Sequence, residues 1–212
     1  MKTARPDATH QRPPTIARIC QNTLALAAVM AWASPALAHF DTSLAGGFGA
    51  GFRHPLSGPD HLLAMVAVGL WGAFLGRPLI YLLPVIFPTV MAIGGALGMS
   101  GMPMPPVEIG IALSVLLLGC AILFAVNPPV WVAAILVGIF AIFHGYAHGQ
   151  ELPSIADPIA FSVGFVLATG LLHLAGITVG LLKERRNGEL IIRCVGALIA
   201  LCGVFYSYRA IG

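Results

Sequence analysis

The chain has 212 residues, 58% of them hydrophobic and only 9% charged, with a formal net charge of +3 and a mean hydropathy of +0.91. That balance excludes a soluble globular domain, and several apolar runs reach the length of a bilayer crossing. Nothing in the sparse charge resembles a nucleic-acid surface, and the partners implied are lipid and a small ion.

The first 38 residues read as a secretory signal peptide. Lys2, Arg5, Arg12 and Arg18 form a basic n-region, residues 23–33 a short apolar core, and Ala36-Leu37-Ala38 a cleavage pattern. An uncleaved first helix is the alternative, and Pro35 with the short core argues against it. Cleavage after Ala38 makes His39 the new N-terminus. Its amine and imidazole, with Asp41 two residues on, form either a metal-binding terminus or an ordinary exposed one.

Residues 39–212 read as one membrane domain of about six helices, the first of them broken. Its parts are a Gly-rich half-helix over 42–52 and a second half over 60–75. The other spans are expected at 79–98, 107–126, 131–148, 159–182 and 190–208, with Pro84 and Pro88 kinking the second. Lys183, Arg185 and Arg186 lie between the last two spans and Arg77 after the first. The positive-inside rule then places the mature N-terminus outside, as a cleaved leader also requires. The expected location is a bacterial inner membrane. Small residues four apart, such as Gly94 and Gly98 or Gly176 and Gly180, allow close helix contact and leave a homo-oligomer open.

Between the halves of the first span lies His54-Pro55-Leu56-Ser57-Gly58-Pro59-Asp60-His61. Two imidazoles and a carboxylate at the mouth of an apolar helix are costly in a membrane, and a broken helix suits an ion site. A polar interfacial turn is the bland alternative. The fourth span ends in Phe143-His144-Gly145-Tyr146-Ala147-His148-Gly149-Gln150-Glu151. His144 and His148 share a helix face, about 5–6 Å apart at Cβ. Gly149 and Pro153 suggest that the helix ends nearby, leaving Glu151 on a tight turn; a continued helix would make Glu151 a third ligand. The topology, drawn from Lys and Arg alone, brings both clusters to the outer face.

This donor set suits Ni²⁺, Co²⁺, Zn²⁺ or Cu²⁺ more than Mg²⁺ or Ca²⁺. Imidazoles bind metal when neutral, so affinity should fall as pH drops toward about 6. His173, mid-way along the fifth span, is either a deeper metal contact or a hydrogen-bonded core histidine. Met65 shares the face of His61, and core packing accounts for it. Met99, Met102 and Met104 crowd an outer loop, Glu108 opens the third span beside the funnel, and Asp157 reads as a loop or cap residue. Cys20, Cys120, Cys194 and Cys202 form no CxxC or CxxCH motif, and neither a P-loop nor a GxGxxG is present.

The paired motifs, His54-x5-Asp60-His61 followed by Met65 and Gly69, then Phe143-His144-Gly145-Tyr146-Ala147-His148-Gly149-x-Glu151, resemble those of the HupE/UreJ family. The resemblance spans the whole mature chain. It implies a secondary nickel or cobalt permease, tied to hydrogenase or urease maturation only indirectly. No prosthetic group is implied; the ion is cargo. The metal residues expected are therefore His54, Asp60, His61, His144, His148 and Glu151, with His173 and His39 as further contacts. An intramembrane zinc hydrolase is the alternative, with three His around an activated water and Asp60 or Glu151 as base. A metal sensor would need a soluble effector domain, which the sequence lacks.

Overall fold

The computed structural model describes residues 47–151 and 157–212. The leader, His39 and Asp41 therefore lie outside the described residues, as do the first residues of the expected Gly-rich half-helix and Pro153. Every element among the described residues is helical: α1 (Phe48–Ser57), α2 (Pro59–Leu75), α3 (Leu79–Met99), α4 (Val107–Leu123), α5 (Val130–Glu151), α6 (Pro158–Gly180) with a 3₁₀ turn (Leu181–Glu184), and α7 (Gly188–Ile211).

Four of these segments, Leu79–Met99, Val130–Glu151, Pro158–Glu184 and Gly188–Ile211, are long and apolar enough to cross a membrane. The α1–α2 pair makes a fifth if its two arms, bent by 85°, count as one crossing. In the four long segments only 28% to 39% of the most apolar stretch is buried, so most of it must face lipid. The chain is a polytopic helical membrane protein. Helix α4 has only 17 residues, about 26 Å of rise, and ends before the expected Val126. Carbonyls at and just past its end are taken by side chains: Arg193 Nε donates to Leu123 and Trp71 Nε1 to Val126.

The break in the first span is narrower than expected. Helix α1 continues through Pro55 to Ser57, and only Gly58 is extended, before Pro59 opens α2. Proline inside α1 removes one backbone donor and does not force a stop so near the helix end. Ser57 Oγ donates to the His54 carbonyl at 2.7 Å, using an acceptor the helix end leaves open. Pro59 then supplies the preset φ of a first helical residue. A Cβ at Gly58 would stand 3.3 Å from both Asp60 Oδ1 and His61 Nδ1, so the hinge is glycine because these side chains fold back over it.

Glycine also decides which helices pair. On α2 and α6, Gly176 packs against the Val66 backbone and Gly180 against that of Leu70; on α3 and α5, Gly94 meets Ile142 and Gly98 meets Tyr146; on α4 and α7, Gly119 meets Ala200 and Gly203 meets Leu116. Residue numbers rise together across the first two pairs and oppositely across the third. Thus α2 and α6 run parallel, α3 and α5 run parallel, and α4 and α7 run antiparallel. Helix α2 is central: Ala64 to Ala73, apart from Val66, is buried without interruption.

Candidate metal centre

The N-terminal turn of α2, the C-terminal half of α5, the end of α1 and the first turns of α6 converge at one end of the bundle. They bring together six of the eight residues singled out from the sequence: His54, Asp60, His61, His144, His148 and Glu151. His173 lies deeper. His39 lies outside the described residues.

The outer layer is a triad. His54 Nε2 stands 3.0 Å from His148 Nδ1 and 3.1 Å from Glu151 Oε2, and His148 Nδ1 stands 3.8 Å from the same carboxylate oxygen. Among the described residues, this is the one group of three whose ligand atoms all lie within 4.8 Å of one another. Glu151 is there because α5 does not stop at Gly149, as expected, but runs to Glu151, one turn beyond His148. The i, i+3 step puts imidazole and carboxylate on one face.

The inner layer is imidazole alone. The His61 ring lies 4.9 Å from that of His144 and 4.7 Å from that of His148, centroid to centroid. In each of the three, Nε2 is buried and has no hydrogen-bond partner. Two of their Nδ1 atoms are committed. His61 Nδ1–H donates to Asp60 Oδ1, and His144 Nδ1–H donates to the Phe140 carbonyl, both at 2.9 Å. A proton held on Nδ1 leaves the Nε2 lone pair free, which is the tautomer a metal ligand needs. His148 belongs to both layers, Nδ1 to the triad and Nε2 to the inner set. Two carboxylates, Asp60 and Glu151, match the double charge of a divalent cation, so an ion would enter without leaving a large net charge at the protein–lipid boundary.

Aromatic rings wall the site, and the sequence reading missed them. Phe165 lies 4.5 Å from the His148 ring and 5.9 Å from His54, and Phe161 lies 5.4 Å from His54. Phe87 stands between levels, 5.4 Å from the His144 ring and 5.5 Å from His173. A signal existed for part of this: stepping back by fours from His173 gives Thr169, Phe165 and Phe161, one stripe of α6. A groove of about 210 Å³ between α3, α5 and α6, with Met91, Met99 and Phe161 in its walls, reaches His148. Met65 is fully buried in the core, as expected. Met99 and Met102 are exposed, and the Met102 carbonyl accepts from Tyr146 Oη at 2.7 Å. Glu108 stands exposed in the first turn of α4, and Asp157 caps α6 by accepting from the Ala160 N–H at 3.0 Å.

A model of the family described as HupE / UreJ protein matches residues 27–206. Protein HupE of Rhizobium leguminosarum bv. viciae is 45% identical over 174 residues, which cover 82% of this chain and 91% of that protein. No solved structure matches the chain.

Proposed function

We propose, given that this chain belongs to the HupE / UreJ protein family, that it is a secondary permease importing Ni²⁺ or Co²⁺ through the cluster of His54, Asp60, His61, His144, His148 and Glu151. One observation carries the reading. Three buried imidazoles expose unpartnered Nε2 atoms, and two of them are held in the ligand tautomer by a carboxylate and a carbonyl. An unsatisfied buried polar atom costs about 1–3 kcal/mol, so three in one place call for an occupant.

An ion arriving from outside meets Glu151 and His54 first, because these are the more exposed ligands, then exchanges water for imidazole at His148, His61 and His144. His148 hands the ion from one layer to the next without moving far, since its two nitrogens face the two layers. With no nucleotide-binding motif, the membrane potential suffices as drive: a double charge crossing 100 mV gains about 4.6 kcal/mol, a roughly thousand-fold accumulation. Six crossings fit the helix directions, with α4 as the shortest and the bent α1–α2 pair as one. A cleaved leader over residues 1–38 would leave a single permease domain over 39–212 in the inner membrane, its N-terminus periplasmic and His39 near the mouth. The zinc-hydrolase alternative gains nothing from the family or the site.

The test is radiolabelled nickel uptake, with cobalt as competitor, in cells expressing wild type or His61→Ala at matched levels. Uptake that disappears in the variant is the expected result, and the competition ranks the metals. A well-expressed His61→Ala protein with wild-type uptake would sink the assignment.

A further inference from the structure

Beneath the cluster the fold holds more polar atoms that it does not satisfy. Among the described residues, buried side-chain nitrogens and oxygens without a hydrogen-bond partner occur on five residues only: His61, His144, His148, Thr169 and His173. The first three belong to the site above. Thr169 and His173 are equally enclosed, at 0% and 1% exposure. They sit four residues apart on α6, so they share a face, with His173 about 6 Å further along the axis.

The position of the pair is fixed from two sides. Gly69 of α2 packs directly on the His173 backbone, so α6 cannot slide. Phe87 of α3 meets the His173 ring edge-on at 5.5 Å and 90°, while its own ring lies 5.4 Å from His144 of the cluster. One aromatic ring therefore spans the step from the cluster to His173. The Pro84 carbonyl is a loose acceptor for the His173 ring, short of full hydrogen-bond geometry, and Pro88 has no N–H to occupy that carbonyl as an ordinary residue four along would. Towards the N-terminal end of α3, Leu79 and Leu83 are buried in the apolar core.

Thr hydroxyls in helices ordinarily donate to a carbonyl of the preceding turn, as Thr89 does to Val85 and Thr178 to Ala175. Thr169 does not. Its hydroxyl is fully buried and has no partner among the surrounding protein atoms.

We propose that Thr169 and His173 form an inner relay station of the permease, which takes the divalent ion from the imidazole cluster after the Phe87 ring turns aside. This rests on the permease reading and extends it inward. The station offers one imidazole, one hydroxyl and a backbone oxygen, with no carboxylate. It binds a divalent ion more weakly than the cluster above, which suits a point of release: a site on a conduction path must not hold its ion too well.

Full-length wild type, Thr169→Val, Thr169→Ser and His173→Asn are compared in two measurements. Co²⁺ binding to the purified protein is followed by its visible absorption. Initial uptake of Co²⁺ is measured in proteoliposomes with an inside-negative potential. Both Thr169→Val and His173→Asn should keep the wild-type dissociation constant within about two-fold while maximal uptake falls by about ten-fold or more. Thr169→Ser should restore uptake. Thr169→Val should melt no lower than wild type, because it removes an unsatisfied buried hydroxyl; a loss of transport without loss of stability separates relay from packing. The relay is overturned if Thr169→Val and His173→Asn transport like wild type, or if they lose Co²⁺ binding together with transport. Absence of saturable uptake in wild type itself would sink the permease reading, and the relay with it.

Discussion

Asp60 uses one carboxylate oxygen twice: Oδ1 accepts the His61 backbone N–H at 2.8 Å and the His61 Nδ1–H at 2.9 Å. The first contact anchors the carboxylate at the start of α2, where the helix dipole favours a negative charge. The second fixes the His61 tautomer and aims Nε2 into the site. Asp60 thus acts mainly through its neighbour, and an Asn can mimic the shape but not the charge. Asp60→Asn should raise the Co²⁺ dissociation constant by about 10–100-fold, the usual cost of losing a metal ligand's outer partner, as read by spectroscopic titration of purified protein. An unchanged constant would mean that His61 does not depend on the carboxylate. The identity of these residues was legible in the sequence because ionisable groups are rare in apolar helices. Their division into an outer triad and an inner imidazole set was not, because it depends on which ring nitrogen faces which neighbour.

Helix α5 carries two of the three inner imidazoles and is placed by its glycines. A Cβ on Gly145 would collide with the Met91 backbone of α3, and one on Gly149 with that of Gly95, whereas Gly138 on the same helix has nothing within 4 Å. Gly145→Ala should therefore destabilise the protein by about 1–3 kcal/mol through overpacking and displace His144 and His148. Gly138→Ala should be neutral or stabilising by about 0.5–1 kcal/mol, since alanine is the better helix residue. Thermal unfolding of the two variants in detergent checks this; equal melting points would show that the α3–α5 contact is softer than it looks. The helices themselves follow from apolar runs and their punctuation. The errors fell where side chains or backbone geometry settle an end: α4 closes early on Arg193 and Trp71, α5 runs on to Glu151, and the first break shrinks to Gly58.

Across the whole molecule, the pairing of helices is symmetric under exchange of α2, α3 and α4 for α5, α6 and α7. The parallel pair α2 and α6 becomes α5 and α3, and the antiparallel pair α4 and α7 returns to itself. Two halves of opposite direction around a site near their junction are the usual build of a secondary transporter. Transport by such a device should follow the electrical gradient. In proteoliposomes, an inside-negative potential of about 100 mV should drive Ni²⁺ accumulation towards roughly a thousand-fold, and collapsing it should leave only equilibration. Accumulation that ignores the potential would point to another drive. The sequence by itself determined that the chain is helical and membrane-embedded and which residues are polar where polarity is costly, because composition and local spacing carry those facts, while the resemblance of the two His motifs pointed to the family. Only the tertiary structure decided which glycines touch which backbones, that Phe87 bridges the cluster and His173, and that Thr169 is buried without a partner. These are contacts between segments far apart in the chain, and nothing in a local pattern specifies them.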